Sequence, residues 1–163
     1  MALGKRDIYR LLDERGIAYE AVEHAAVYTV EEADALQLPH PETGTKNLFL
    51  RDDKHRAYFL LTCREDVRVD LKALQAQIGS RRLSFASADD LRDMLGLIPG
   101  SVTPLGLLND EACRVRFLLD AAFVGRMVSA HPNENTATIF LQTDDLLALL
   151  AGHDTPVTVV TLG

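Results

Sequence analysis

Gly44-Thr45-Lys46-Asn47-Leu48-Phe49-Leu50 leads into Arg51-Asp52-Asp53-Lys54, and Ala57-Tyr58-Phe59-Leu60-Leu61-Thr62 follows close behind. Two apolar runs joined by a short polar segment predict a β-hairpin with strands at 45–50 and 57–62. Lys46 then stands at the mouth of the first strand. Neighbouring side chains of an extended strand leave on opposite faces, so Asn47 is expected to point away from Lys46.

The flanking sequence supplies helices and further strands. Ile8, Leu11 and Leu12 share one helical face, Gly16 can end that helix, and Ile17 to Val22 alternates like a strand. Thr29-Val30-Glu31-Glu32 matches a capping box, which predicts a helix from there to about Leu38, before Pro39 and Pro41. Leu71 to Ile78 reads as a helix closed by Gly79, and Ser87 can cap another through Leu95. Strands are expected at 101–105, 114–120, 126–130 and 136–141, then a helix capped at Thr143 and a last strand from Val157 to Leu162. Regular βαβ alternation is missing, so the expected class is α+β: a mixed, partly closed sheet with surrounding helices. No repeat or linker-like stretch divides the chain. At 163 residues and 47% hydrophobic content it suits one domain over residues 1–163.

Composition narrows the chemistry. Cys63 and Cys113 lack CxxC spacing and read as buried free thiols. His24, His40, His55 and His153 show no HxH or HExxH spacing, so neither metal nor cofactor is expected. No GxSxG elbow, Walker loop or GxGxxG occurs, which disfavours common hydrolase, NTPase and dinucleotide-binding classes. The N-terminus lacks the apolar run of a signal peptide and no stretch is long enough for a membrane span, so a soluble cytoplasmic protein is expected. The net charge of −7 disfavours a polyanionic partner, yet residues 46–82 carry nine of the seventeen basic residues against five acids. That segment is +4 and the remainder −11. Solvated faces and weak, salt-sensitive nucleic-acid contact both remain open.

Three motifs carry candidate chemistry, each with a plain structural alternative. Lys46 is either a solvated surface lysine or a point cation for a phosphate or developing oxyanion at the edge of a cleft. Asn47 is either a turn-stabilising residue, which alternation favours, or a pocket amide. In Gly100-Ser101-Val102-Thr103-Pro104 the glycine either relieves a turn or lets exposed N–H groups approach a ligand. His131, placed at a strand end or turn by Pro132, is either a structural hydrogen-bonder or a group for proton transfer or a substrate hydroxyl.

In this order and at these separations, Gly44 to Leu50, Gly100 to Pro104 and Ala130-His131-Pro132-Asn133-Glu134-Asn135 resemble the YbaK/ProX family of free-standing aminoacyl-tRNA editing domains. The likeness covers nearly the whole chain, including the Gly-Ile-Ala-Tyr strand, Glu23-His24 and Tyr28-Thr29-Val30-Glu31-Glu32-Ala33. It is greatest to the ProX branch, whose members clear alanine from mischarged proline tRNA and are similar to the editing insertion of bacterial prolyl-tRNA synthetases.

The resemblance implies a functional lysine at Lys46, a polar neighbour at Asn47, a substrate loop at Gly100, Ser101, Val102, Thr103 and Pro104, and a pocket histidine at His131. It further implies ester cleavage by a positioned water without a covalent nucleophile, and the acceptor end of a mischarged tRNA as partner. Transient association with prolyl-tRNA synthetase is also implied, while the charge distribution, apart from the resemblance, gives the expectation that tRNA docks weakly through the positive segment at Arg81 and Arg82. Removal of cysteine or serine, or non-catalytic binding of tRNA or a nucleotide, are the rival expectations.

Overall fold

In the computed structural model, residues 2–27 and 29–163 are described, without the Val30 side chain; Tyr28, quoted above, lies outside the described residues. Helix α1, Lys5–Glu14, buries Ile8 and Leu12 on one face and passes through Gly16 at φ +67° into strand β1, Tyr19–Glu23. Helix α2, Val30–Ala35, begins where the Thr29 hydroxyl accepts the Glu32 N–H. It stops short of Leu38, because Gln37 (φ +49°) and His40 (φ +54°) turn the chain through left-handed backbone before Pro41.

Strands β2, Thr45–Asp52, and β3, Tyr58–Arg64, pair antiparallel, with Thr45 opposite Arg64 and Arg51 opposite Tyr58. The turn between them is organised by the Asp52 carboxylate, which accepts the Lys54 and Arg56 N–H groups. Helix α3, Leu71–Ile78, is capped by Asp70 and closed by Gly79 at φ +69°. Strand β4, Leu83–Phe85, and helix α4, Ala88–Leu95, follow, with Ser87 as the cap of α4.

The strand expected at 101–105 is absent: Pro104–Asn109 forms 3-10 turns, started by the Thr103 hydroxyl accepting the Leu105 N–H. Proline at the first position fixes φ and offers no donor to a sheet, which is the physical reason for the correction. Strands β5, Val115–Asp120, β6, Met127–Ala130, and β7, Ala137–Gln142, come next. Helix α5, Thr143–Gly152, starts at Thr143 with Gln142 flanking it, so Thr143 is not its cap. Strand β8, Val157–Val160, completes the order.

The α+β class holds, with the strands divided between two sheets: β1-β7-β6, and β4-β2-β3-β5-β8. The second contains antiparallel hairpin pairing on one side and parallel pairing of β3 with β5 and of β5 with β8 on the other. Alternation sends Phe49, Leu60 and Phe117 into a core shared with α1, α4, α5 and the smaller sheet, and Leu50, Leu61 and Leu118 into a second core under α3. Cys63 is fully buried there, and burial pushes its thiol up to about 11. Cys113 is only half-buried, contrary to expectation, because it occupies a left-handed turn (φ +52°).

Asp120 ties the large sheet together at the end of β5. Its side chain is 1% exposed and accepts the Arg64 Nε–H at 2.8 Å, the Arg64 N–H at 3.1 Å and the Ala122 N–H at 3.0 Å. Burial alone would raise its pKa; the Arg64 guanidinium and the two N–H donors outweigh that and hold it below the usual carboxylate range. Its stabilising effect is therefore present at neutral pH and lost as pH falls through the folded-state value, below about 3.9. Asp120→Ala, which strands these donors, should lower unfolding free energy by about 2–3 kcal/mol, measured as a shifted urea midpoint with unchanged slope. A midpoint equal to that of the parent would show that the pair is energetically idle.

Candidate functional site

The two sheets meet at one corner, where β2 begins. The Ser129 hydroxyl of β6 donates to the Thr43 carbonyl at 2.7 Å, and the Thr45 hydroxyl lies 3.3 Å from the Ser129 carbonyl. Beside this corner is a cavity of about 170 Å³ whose wall includes Asn47, His131, His24, Thr138 and Glu65. An adjoining cavity of about 240 Å³ shares Gly44, Glu65 and Thr138 and reaches His40 and Phe140.

Asn47 faces the smaller cavity with its carboxamide oriented from behind, since the Thr62 hydroxyl donates to Asn47 Oδ1 at 2.5 Å. With its carbonyl oxygen engaged, the amide N–H₂ is the group left for a ligand. The reading of Asn47 as a turn residue is therefore not what the structure shows; β2 runs straight through it.

His131 Nδ1 is 3.0 Å from the Ala137 carbonyl, which can only accept, so Nδ1 carries the proton and Nε2 is an acceptor. Burial lowers the His131 pKa against the opposing pull of that hydrogen bond, and nearby His24 lowers it further. The ring is thus a neutral base at physiological pH. His24, given no role in the site above, also lines the cavity, with Nδ1 2.9 Å from the Ala25 carbonyl and Nε2 2.9 Å from the Thr138 hydroxyl. Its available signal was the Glu23-His24 pair at the end of β1. Glu65 had no such signal.

The remaining expected residues lie elsewhere. Lys46 leaves β2 on the opposite face, opposite Cys63 in the register, and its ammonium donates to the Val67 carbonyl; it does not line the cavity. Residues Gly100 to Pro104 also stay off the cavity wall. Gly100 is exposed at φ +91°, the Ser101 N–H donates to Ile98 O at 3.0 Å, and Val102 is half-buried. Thr103, fully buried beside Pro104, donates its hydroxyl to the His131 carbonyl at 2.7 Å. The loop thereby braces His131 from behind. Arg81 and Arg82 are at the far end of the hairpin, Arg81 pairing with Asp53 at 2.6 Å. The length of β2, about 23 Å at roughly 3.3 Å per residue, separates them from the cavity.

This arrangement binds and polarises without offering an activated nucleophile. The Ser129 hydroxyl donates its hydrogen bond to a backbone carbonyl, and the Cys63 thiol is buried in the second core. A neutral imidazole acceptor, an amide donor and hydroxyls fit a ribose, an ester and a water. Among the described residues, no group of three or more His, Cys, Asp or Glu is placed to hold a metal ion, and no helix is long and apolar enough to cross a membrane.

A model of the aminoacyl-tRNA editing domain matches residues 24–149, a span that contains His24, Asn47, Glu65 and His131. The prolyl-tRNA editing protein ProX of Acetoanaerobium sticklandii is 45% identical over 143 residues, 87% of each chain. The prolyl-tRNA synthetase associated domain-containing protein 1 of Bos taurus is 38% identical over 149 residues, 85% of this chain and 84% of its own. A crystal structure described as a trans-editing enzyme for prolyl-tRNA synthetase superposes with a TM-score of 0.73 at 24% identity, covering 99% of this chain and 98% of the other, and so shares the fold. On the extent of the domain match and the identity to ProX, the chain belongs to the aminoacyl-tRNA editing domain family.

Proposed function

We propose that the protein is a trans-editing deacylase of mischarged tRNA(Pro), acting on alanyl-tRNA(Pro) as one cytoplasmic domain over residues 1–163, with transient contact with prolyl-tRNA synthetase. The observation that carries the reading is the 170 Å³ cavity that joins the oriented Asn47 amide to the neutral His131 ring. An aminoacyl ester is already activated, so positioning a water and stabilising the oxyanion suffice. His131 Nε2 accepts a hydrogen bond from the attacking water or a ribose hydroxyl, the Asn47 N–H₂ donates to the ester or ribose, and Gly100 to Pro104 position His131 through Thr103. Discrimination between alanine and proline is a steric sieve, the wall of the pocket admitting alanine's methyl group and refusing the proline ring.

Lys46 starts from the other face of β2 and acts by swinging past the strand toward the ligand. Its ammonium is held by a neutral carbonyl, a partner it can exchange for the terminal adenosine phosphate or the developing charge. The tRNA body docks at the hairpin end, where Arg81 joins Arg56, Arg114 and Arg116 around a cleft of about 500 Å³. Arg82 lies next to it in sequence. The test of the whole reading is deacylation of alanyl-, cysteinyl- and seryl-tRNA(Pro) by the purified protein. Cleavage of the alanyl ester supports it, preference for another ester reassigns the amino acid, and activity on none removes it.

Lys46→Ala should reduce deacylation about a hundredfold, the scale for one electrostatic stabiliser, with thermal stability nearly unchanged. Activity within about threefold of the parent would leave Lys46 a surface residue.

The acid limb of kcat/KM should lie below about 6.5, the ordinary histidine value, because burial keeps His131 neutral to lower pH. A limb at or above that value would remove His131 as the acceptor.

Arg81→Glu with Arg82→Glu should weaken full-length tRNA binding and flatten its salt dependence by a few phosphates, while cleavage of an aminoacyl-adenosine changes little. Unchanged tRNA affinity would rule the pair out as the docking surface.

A further inference from the structure

Glu65 is the carboxylate of the smaller cavity, and none of the groups above gives it a role. It lines both cavities at their junction. Its backbone N–H donates to the Gly44 carbonyl at 3.2 Å, which pins the start of the side chain to β2. The carboxyl group lies against Gly44 so closely that a Cβ on residue 44 would sit 2.4 to 2.7 Å from its carbon and both oxygens. The missing side chain at Gly44 is therefore what admits this carboxylate to the cavity rim. Glu65 takes part in none of the ion pairs among the described residues, unlike Asp53, Asp90 and Asp120. The nearest lysine along β2, Lys46, is on the other face of the strand, engaged with Val67.

An aminoacyl ester brings one cation into the cavity, its α-ammonium, with an ordinary pKa of about 7.7–8.0. The other polar side chains there are the His131 and His24 imidazoles, an amide and hydroxyls. None supplies a counter-charge, and moving an ammonium into a partly enclosed site without one is costly.

We infer that Glu65 recognises the α-ammonium of the aminoacyl group, so that the site distinguishes an aminoacyl ester from one without the amine. This rests on the deacylase reading above. The carboxylate accepts a charge-assisted hydrogen bond from the ammonium, and that contact turns the ester carbonyl toward Asn47 and His131.

The experiment compares alanyl-tRNA(Pro) with lactyl-tRNA(Pro), in which a hydroxyl replaces the ammonium, and measures kcat/KM for the parent, Glu65→Gln and Asp34→Asn. Comparing variants on each ester separately removes the intrinsic difference in ester reactivity. Glu65→Gln should lose about tenfold on the alanyl ester, the scale of one charge-assisted hydrogen bond, and stay within about twofold on the lactyl ester. Asp34 lines only the adjoining cavity, and Asp34→Asn should leave the ratio between the esters unchanged. Thermal unfolding of Glu65→Gln, an exposed position, checks that the fold is intact. Equal losses on both esters, or none on either, would overturn the assignment while the deacylase reading stands on the parent's activity. A parent enzyme that cleaves neither ester fails that reading, and this proposal with it.

Discussion

The hydrogen bond from the Ser129 hydroxyl to the Thr43 carbonyl joins two sheets that otherwise meet mainly through apolar packing. Everything placed around the cavity depends on that corner. With Thr43 held to β6, β2 begins at Thr45, and its register against β3 sets Asn47 opposite Thr62 and turns Lys46 to the other face. Because Ser129 is held to β2, the segment after Ala130 emerges beside Asn47 and delivers His131 to the same wall. A one-residue slip of β2 would exchange the two faces and replace the amide by an ammonium. Register, set by the hairpin and by this clasp, is the constraint the site rests on.

The loop of residues 100–104 shows how a short motif acts at one remove. Its glycine is exposed in a left-handed conformation, and its proline starts a series of 3-10 turns. The contact that reaches the site is the Thr103 hydroxyl on the His131 carbonyl. The opposite end of His131 is fixed by Ala137. A ring held from the backbone on one side and through Nδ1 on the other has its free nitrogen defined without any charged partner, which suits a base that stays neutral.

Charge follows a similar logic. Part of the basic excess of residues 46–82 is answered by carboxylates from elsewhere: Arg51 meets Asp90 at 2.6 Å and Arg64 meets Asp120 at 2.8 Å. Arg114 and Arg116, outside that segment, join Arg56 and Arg81 at the hairpin end. A charge count along the chain is thus a poor map of charge on the surface, since folding pairs residues by position in space.

The hairpin, the caps at Thr29 and Ser87, and the closing glycines Gly16 and Gly79 were legible in the chain alone, because alternation, capping and left-handed closure are decided within a few residues. The opposite facing of Lys46 and Asn47 was legible for the same reason. Residues 101–105 were misread as a strand, because the apolar content that continues into the 3-10 turns at Pro104–Asn109 reflects burial in the core against α4 and β5. Asn47, His131, His24 and Glu65 come from four separate stretches, and nothing local in any of them states that they share a wall. Only the meeting of the two sheets decided that. Long-range pairing, with Ser129 against Thr43 across 86 residues, is set by the packing of the whole core, which no short window of sequence contains.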